Sequence, residues 1–200
     1  TTLHLLYSRF WHKFLYDLKL VPTSEPYAKR TSHGLILADD GTKFSKSKGN
    51  GIDPNDVVKI YGADSLRLYE MFMGPFDQAV SWNTDGIVGP RRFLERVWKL
   101  GEKIKNSKGK INSDKNLQTV LHKTIKKVSE DIEEMRFNTA ISSMMILSSE
   151  MEKAKEISQK DFKIFLQLLY PFAPHIVEEL WSILGEKKSI NFSTWPKWNP

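Results

Sequence analysis

The sequence predicts a mixed α/β segment followed by an all-helical bundle, mostly α overall, and three observations carry this. A short apolar run, Gly34-Leu35-Ile36-Leu37-Ala38, is closed by the turn Asp39-Asp40-Gly41-Thr42 and reads as a buried strand. From Gly86 onward, apolar residues recur at three- and four-residue spacing through successive stretches joined by short polar connectors, the pattern of an antiparallel helical bundle. Between the two lies Lys43-Phe44-Ser45-Lys46-Ser47-Lys48-Gly49-Asn50, with Gly41 before it and Gly51 after it, too rich in Ser and Gly to prefer a helix.

The elements follow in order. Leu3, Leu6, Phe10, Phe14 and Leu18, with Tyr7 and Trp11 beside them, predict one buried helix of about four turns. Pro22 and Pro26 enforce a connector after it. Asp53 is an N-cap candidate with Pro54 in the first turn of the next helix. Val57, Val58 and Ile60 supply its apolar face, and Gly62 closes it. A helix over about 64–73 should bury Leu66, Leu68, Tyr69, Phe72 and Met73 before Gly74-Pro75 stops it. Residues 76–85 read as an irregular connector.

Helices are then predicted at 86–105, 114–136, 138–155, 160–170 and 174–184. Their stripes are Phe93/Val97/Leu100/Ile104, Leu117/Val120/Val128/Ile132, Ile141/Met144/Met145/Met151, Phe162/Phe165/Leu169 and Ile176/Val177/Leu180/Trp181. The paired methionines read as core filler. No strand pattern returns before the last residues, and the tail with Trp195 and Trp198 is expected to tuck onto the bundle. The chain therefore divides near residue 85, into domains of 1–85 and 86–200.

At 200 residues, 40% apolar and 27% charged, the composition is that of a soluble protein. There is no apolar run of membrane-spanning length and no signal-peptide pattern, so no membrane role is expected. The absence of cysteine excludes disulfides and thiolate metal sites and suits a reducing, cytoplasmic setting. The chain opens on Thr1-Thr2-Leu3-His4 and runs at once into helix without an initiator Met, which reads as a piece of something longer.

The formal charge is +6. Its distribution says more than the total: Lys99, Lys103, Lys105, Lys108, Lys110, Lys115, Lys123, Lys126 and Lys127 crowd one region with only Glu102 and Asp114 among them. That is an electrostatic footprint for nucleic acid, or equally a solvated helix face and linker.

Several chemistries drop out. His4 and His12 are too far apart on one helix to share an ion, and His175-Ile176-Val177-Glu178-Glu179 lacks the second His of a zinc helix. There is no Gly-x-Ser-x-Gly elbow and no P-loop. The lysine loop remains. Lysine ammoniums are compact charges with several donors, and Ser hydroxyls and backbone N–H groups can complete a phosphate's coordination. A mobile loop gathering around polyphosphate and a solvated surface loop both fit this composition. Its place after a strand, at the rim of an α/β layer, is where ligands bind in open α/β folds.

These residues also carry a resemblance. Lys43-Phe44-Ser45-Lys46-Ser47 resembles the Lys-Met-Ser-Lys-Ser signature of class I aminoacyl-tRNA synthetases, with Phe44 in place of Met at a packing position. Lys48-Gly49-Asn50, Asp53-Pro54 and Tyr61-Gly62-Ala63-Asp64-Ser65-Leu66-Arg67 follow in that family's order and spacing. His4-Leu5-Leu6-Tyr7-Ser8-Arg9-Phe10-Trp11-His12-Lys13 and residues 77–98 resemble the bacterial leucyl-tRNA synthetases in particular. Arg136-Phe137-Asn138-Thr139-Ala140-Ile141 and Pro171-Phe172-Ala173-Pro174-His175 extend the likeness through the helical half.

The resemblance implies a fold and a function. Residues 1–85 would be the C-terminal part of a Rossmann-type catalytic core, and 86–200 a helical anticodon-binding-type domain that touches the tRNA body. The family activates leucine with ATP and Mg²⁺ and transfers it to the 3′ end of tRNA(Leu). Lys46 matches the lysine that meets the ATP phosphates, with Lys43 assisting and Ser45 and Ser47 in the ATP site. The backbone at Leu35 and Ile36 matches the strand that meets adenine, and His4 a histidine of the leucine pocket. His33 departs from the more usual glutamine.

Lys99, Lys103, Lys123, Lys126 and Lys127 would meet tRNA phosphates, in salt-dependent and sequence-blind contacts. No protein metal site is implied. The His-Ile-Gly-His-type signature, the first half of the nucleotide fold, the editing insert and a small C-terminal tRNA-binding domain have no counterpart here. An aminoacyl-tRNA ligase piece that is inactive without its N-terminal partner half is therefore expected, from an enzyme monomeric when whole. The alternatives are a synthetase for another aliphatic amino acid and a non-catalytic helical tRNA-binding module.

Overall fold

The computed structural model describes residues 2–106, 114–155 and 157–199, apart from the side chain of Lys46. The chain forms two compact units, Thr1–His33 and Gly34–Pro200.

In the first unit, α1 spans Thr2–Asp17, as its periodicity predicts. Its expected burial is not found. No α1 residue is buried; Leu3 is 74% exposed and Phe10 67%. Periodicity reports that a stripe exists, but burial needs a second surface against it. The 18–33 connector folds back instead through polar groups. Arg9 and Lys13 grip Glu25 at 2.7 and 2.9 Å, and the His12 ring meets the Thr23 carbonyl at 2.7 Å. The hydrogen bonds from Arg9 and Lys13 pull the Glu25 carboxyl down to about 2.

The second unit begins with β1, Ile36–Leu37. It pairs in parallel with β2, Val80–Ser81, in the stretch read above as an irregular connector. A two-residue strand rests on backbone hydrogen bonds, Val80 N–H to Leu35 O and Trp82 N–H to Leu37 O, and leaves no alternation to read. Gly34 is required here: a Cβ on it would sit 1.7 Å from the Gln78 carbonyl oxygen. Leu35 and Ile36 are exposed rather than buried, since strand side chains are covered only where another layer packs on the sheet face. Ala38 is the buried residue of the run.

The next helix, α2, spans Pro54–Tyr61, with Asp53 accepting from the Asn55 amide and Gly62 at φ 88° beyond its end. Only Val57 of its expected apolar face is buried, Ile60 being 70% exposed. Helix α3, Ala63–Phe72, serves two cores. Leu66 and Tyr69 join Val57, Trp82 and Ile87 in a small one, whereas Leu68 enters the large one. Phe72 and Met73, expected to be buried, are half-buried.

The bundle consists of α4 Val88–Asn106, α5 Lys115–Glu133, α6 Phe137–Lys153, α7 Gln159–Leu169 and α8 Pro174–Ile183. Each lies within a few residues of its prediction. Helix α5 packs on α6, α7 on α8, and α4 on α6, α7 and α8. Phe162, Phe165, Ile141, Met144 and Leu180 are fully enclosed. The tail makes a short 3-10 turn, Ile190–Phe192, and no strand. It then lies along the bundle: the Trp195 indole donates to Ser129 Oγ at 2.8 Å, and the Asn199 amide to His122 Nδ1 at 3.2 Å. No described helix is long and apolar enough to cross a membrane.

Candidate functional site

The lysine loop starts from a fixed base. After β1, the Ala38 amide donates to the Thr42 carbonyl at 2.8 Å, and Lys43 forms an antiparallel bridge with Leu37. Gly41, at φ 75°, allows the turn between them. Phe44 then packs against the small core beside Val57, Leu66, Tyr69, Trp82 and Ile87. That core is braced by Tyr69, whose hydroxyl donates to the Asn83 carbonyl at 2.6 Å and accepts from the Asn83 amide at 3.0 Å. An aromatic anchor thus sits between Lys43 and Lys46.

Residues Lys46–Lys48 form a 3-10 turn, and the Ser45 and Ser47 hydroxyls meet at 2.8 Å. Lys43 and Lys48 are exposed; the Lys46 side chain lies outside the described residues. The loop is folded on itself, not strung out. Asn50 Oδ1 accepts from the Ser45 amide at 2.8 Å, and its Nδ2 reaches Thr42 Oγ1 and the Lys43 carbonyl, each at 3.3 Å. The Thr42 hydroxyl donates onward to Asp40 Oδ1 at 2.7 Å. The Thr42 hydroxyl and amide, helped by the Lys48 charge, hold the Asp40 carboxyl below its usual value.

No carboxylate stands between residues 43 and 52, and Asp40 is engaged by Thr42. Exposed ammoniums and paired hydroxyls suit a polyphosphate, although the Asp40 charge is felt by Lys48. A cavity of about 660 Å³ lies behind the loop, lined by Asp39, Asn50, Ser81, Asn83 and Asp85 among others. Neither Lys43 nor Lys48 lines it, and its two acids do not suit an anion.

The other sequence-predicted residues are dispersed. Leu35 and Ile36 adjoin the loop through β1. His4 belongs to the first unit, where it is exposed and its Nδ1 lies 2.9 Å from the Tyr7 hydroxyl. Lys99 and Lys103 are exposed on α4, and Lys123 and Lys126 on α5. Lys126 sits 4.8 Å from the centre of the Trp198 ring. Lys108 and Lys110, also read as part of the basic region, lie outside the described residues.

Lys127 is committed elsewhere. Its ammonium lies 2.6 Å from both oxygens of Asp131, a carboxylate with no solvent exposure that also takes Arg136 Nε at 2.8 Å and the Thr139 hydroxyl at 2.7 Å. Burial pushes the Asp131 carboxyl up, but the hydrogen bonds from Lys127, Thr139 and Arg136 outweigh it and hold it below the usual range. The Arg136-Phe137-Asn138-Thr139 stretch therefore contributes two of the groups that satisfy a buried charge.

The platform and bundle are joined by a contact that sequence reasoning missed. Asp64, buried at the start of α3, accepts from the Ile176 amide at 2.7 Å, and the His175 ring nitrogen lies 2.8 Å from it, 111 residues on. It satisfies the open N–H groups at the start of α8, a cap supplied from a different helix. Arg67 adds a bond to the Pro171 carbonyl at 2.9 Å. Capping signals are read from neighbours in sequence, and nothing local to residues 173–176 names Asp64.

Comparison with known proteins supplies the context for this geometry. Residues 7–83 match the family of class I tRNA synthetases for isoleucine, leucine, methionine and valine, and residues 114–200 match the anticodon-binding domain of tRNA ligases. The chain is 54% identical to the leucine–tRNA ligase of Alkaliphilus oremlandii (strain OhILAs) over its whole length, which is 24% of that protein. Among solved structures it is similar to the leucyl-tRNA synthetase in a ternary complex from Agrobacterium radiobacter K84. The TM-score is 0.81 at 33% identity, over 99% of this chain and 28% of that one. The chain thus spans about a quarter of the length of the relatives it matches.

Proposed function

Since the chain belongs to the leucyl-tRNA synthetase family, we propose that it supplies one jaw of an ATP-dependent leucine-activating site together with a tRNA-contacting helical domain. The observation that carries this reading is the lysine loop, pinned by Phe44 to a small core directly after β1 and presenting Lys43 and the Ser45–Ser47 hydroxyl pair on a stretch, 43–52, that contains no carboxylate. Lys46 and Lys43 meet the ATP phosphates, and Mg²⁺ arrives with ATP. Negative charge builds on the departing pyrophosphate as leucine is adenylated, and a preplaced ammonium stabilises it there. The backbone of Leu35 and Ile36 is assigned to adenine and His4 to the leucine pocket.

We place the division between catalytic-core piece and helical domain near residue 85. Lys99, Lys103, Lys123 and Lys126 contact tRNA phosphates; Lys127 contributes least, because Asp131 holds its ammonium. The remainder of the core, which carries the other half of the ATP site, lies outside these residues, so these residues alone do not activate leucine.

The test is leucine-dependent ATP–pyrophosphate exchange. In the full-length ligase, Lys46→Ala should lower kcat about 100-fold or more with little change in leucine affinity. Equal losses in both would make Lys46 a structural lysine. Exchange by residues 1–200 alone would overturn the one-jaw reading. tRNA binding by this chain that is indifferent to ATP and to Lys43/Lys46→Ala in every context would favour a plain RNA-binding module.

A further inference from the structure

We infer that Asn50 is a positioning residue for the phosphate-binding lysines, closing the loop into a ring that holds Lys43 and Ser45 in place; this rests on the phosphate-loop reading above. The Asn50 amide spends its groups on the loop itself. Its oxygen takes the Ser45 amide, and its nitrogen donates to the Lys43 carbonyl and to Thr42 Oγ1. The orientation is determined chemically. The Ser45 N–H can only donate, so the atom facing it must be the oxygen.

The Thr42 hydroxyl, with its O–H directed in a hydrogen bond to Asp40, meets Asn50 with a lone pair. Asn50 N–H, Thr42 O–H and the Asp40 carboxylate thus form one polarised chain, each bond strengthening the next. The lysines gain a fixed footing from this. Lys43 is held on one side by its bridge to Leu37 and on the other by Asn50, and Phe44 between the two bonded groups is anchored in the small core.

A flexible four-carbon side chain projected from a fixed backbone loses less entropy on meeting phosphate than one projected from a free loop. Gly49, at φ 66°, turns the chain so that Asn50 can reach back. Lysine and serine content alone does not reveal this closure, since its ends are eight positions apart in the Thr42–Asn50 pair.

Pyrophosphate exchange by the full-length ligase tests it, with KM and kcat resolved for ATP and for leucine. Asn50→Ala should lower kcat/KM for ATP about tenfold, leave the leucine KM within about twofold, and leave Tm unchanged. Thr42→Val, which breaks the chain at its midpoint, should show about a threefold loss in the same parameter, and Thr42→Ser should restore it. Amide exchange at Ser45, followed in this chain, should quicken in Asn50→Ala. Wild-type kcat/KM for ATP in Asn50→Ala, with Lys46→Ala impaired, overturns the positioning role and spares the phosphate loop. Unimpaired exchange in both variants overturns both readings. Equal losses for ATP and leucine with a lowered Tm would make Asn50 merely structural and overturn the proposal.

Discussion

The lysine-loop platform and the helical bundle are built on different physical terms, although one chain runs through both. The bundle buries a continuous apolar core in which Phe162, Phe165, Leu180 and Ile141 have no contact with solvent. The platform rests on five buried apolar side chains, Val57, Leu66, Tyr69, Trp82 and Ile87, two paired dipeptide strands and a set of side-chain hydrogen bonds. A core that small cannot offset the entropy of ordering a long loop segment by itself. The platform therefore borrows rigidity from the bundle through α3, whose Asp64 accepts from the Ile176 amide at the start of α8 and whose Arg67 donates to the Pro171 carbonyl. Binding loops belong on the less stable part of a fold, held by a rigid neighbour.

The largest effect should come from breaking the bundle's buried charge cluster. Asp131→Ala removes the carboxylate shared by the half-exposed Lys127 and Arg136, with its charged hydrogen bonds, and should cost about 2–3 kcal/mol, measured by urea unfolding followed by circular dichroism. The same residue gives a pH dependence. Its folded pKa lies below the unfolded value of about 3.9, so its contribution is complete above that value and is lost as pH falls through the folded pKa. Acid unfolding of Asp131→Asn should accordingly be less steep below about pH 4 than that of the wild type.

Asp64→Ala should cost less, about 2 kcal/mol at the upper end of capping effects, but should uncouple the regions. Hydrogen exchange read by mass spectrometry should show amides of 34–87 opening before those of α5–α8. Concerted opening at the wild-type rate would break the comparison. Tyr69→Phe removes the hydroxyl that bonds both backbone groups of Asn83 and should cost about 1 kcal/mol, seen as a lower urea midpoint. The smallest effect belongs to the surface. Lys59→Ala removes an exposed pair with Asp56 and should change stability by no more than about 0.5 kcal/mol in the same titration.

Much of this was legible in the residues. The stripes of α4 to α8, the Asp53 cap, the stop at Gly62 and the lysine loop itself are local patterns, set by helical periodicity and by the backbone freedom of a few residues. The family likeness, too, was carried by short contiguous motifs. Tertiary structure alone decided the rest. It left the α1 stripe bare, exposed Leu35 and Ile36, and drew β2 out of an apparent connector. It gave Lys127 to Asp131, brought Asp64 to the start of α8, and closed the lysine loop through Asn50. The reason is common to all of these. Period and propensity are properties of neighbouring residues, whereas burial, strand pairing and the partner of a charge depend on which distant surface arrives opposite.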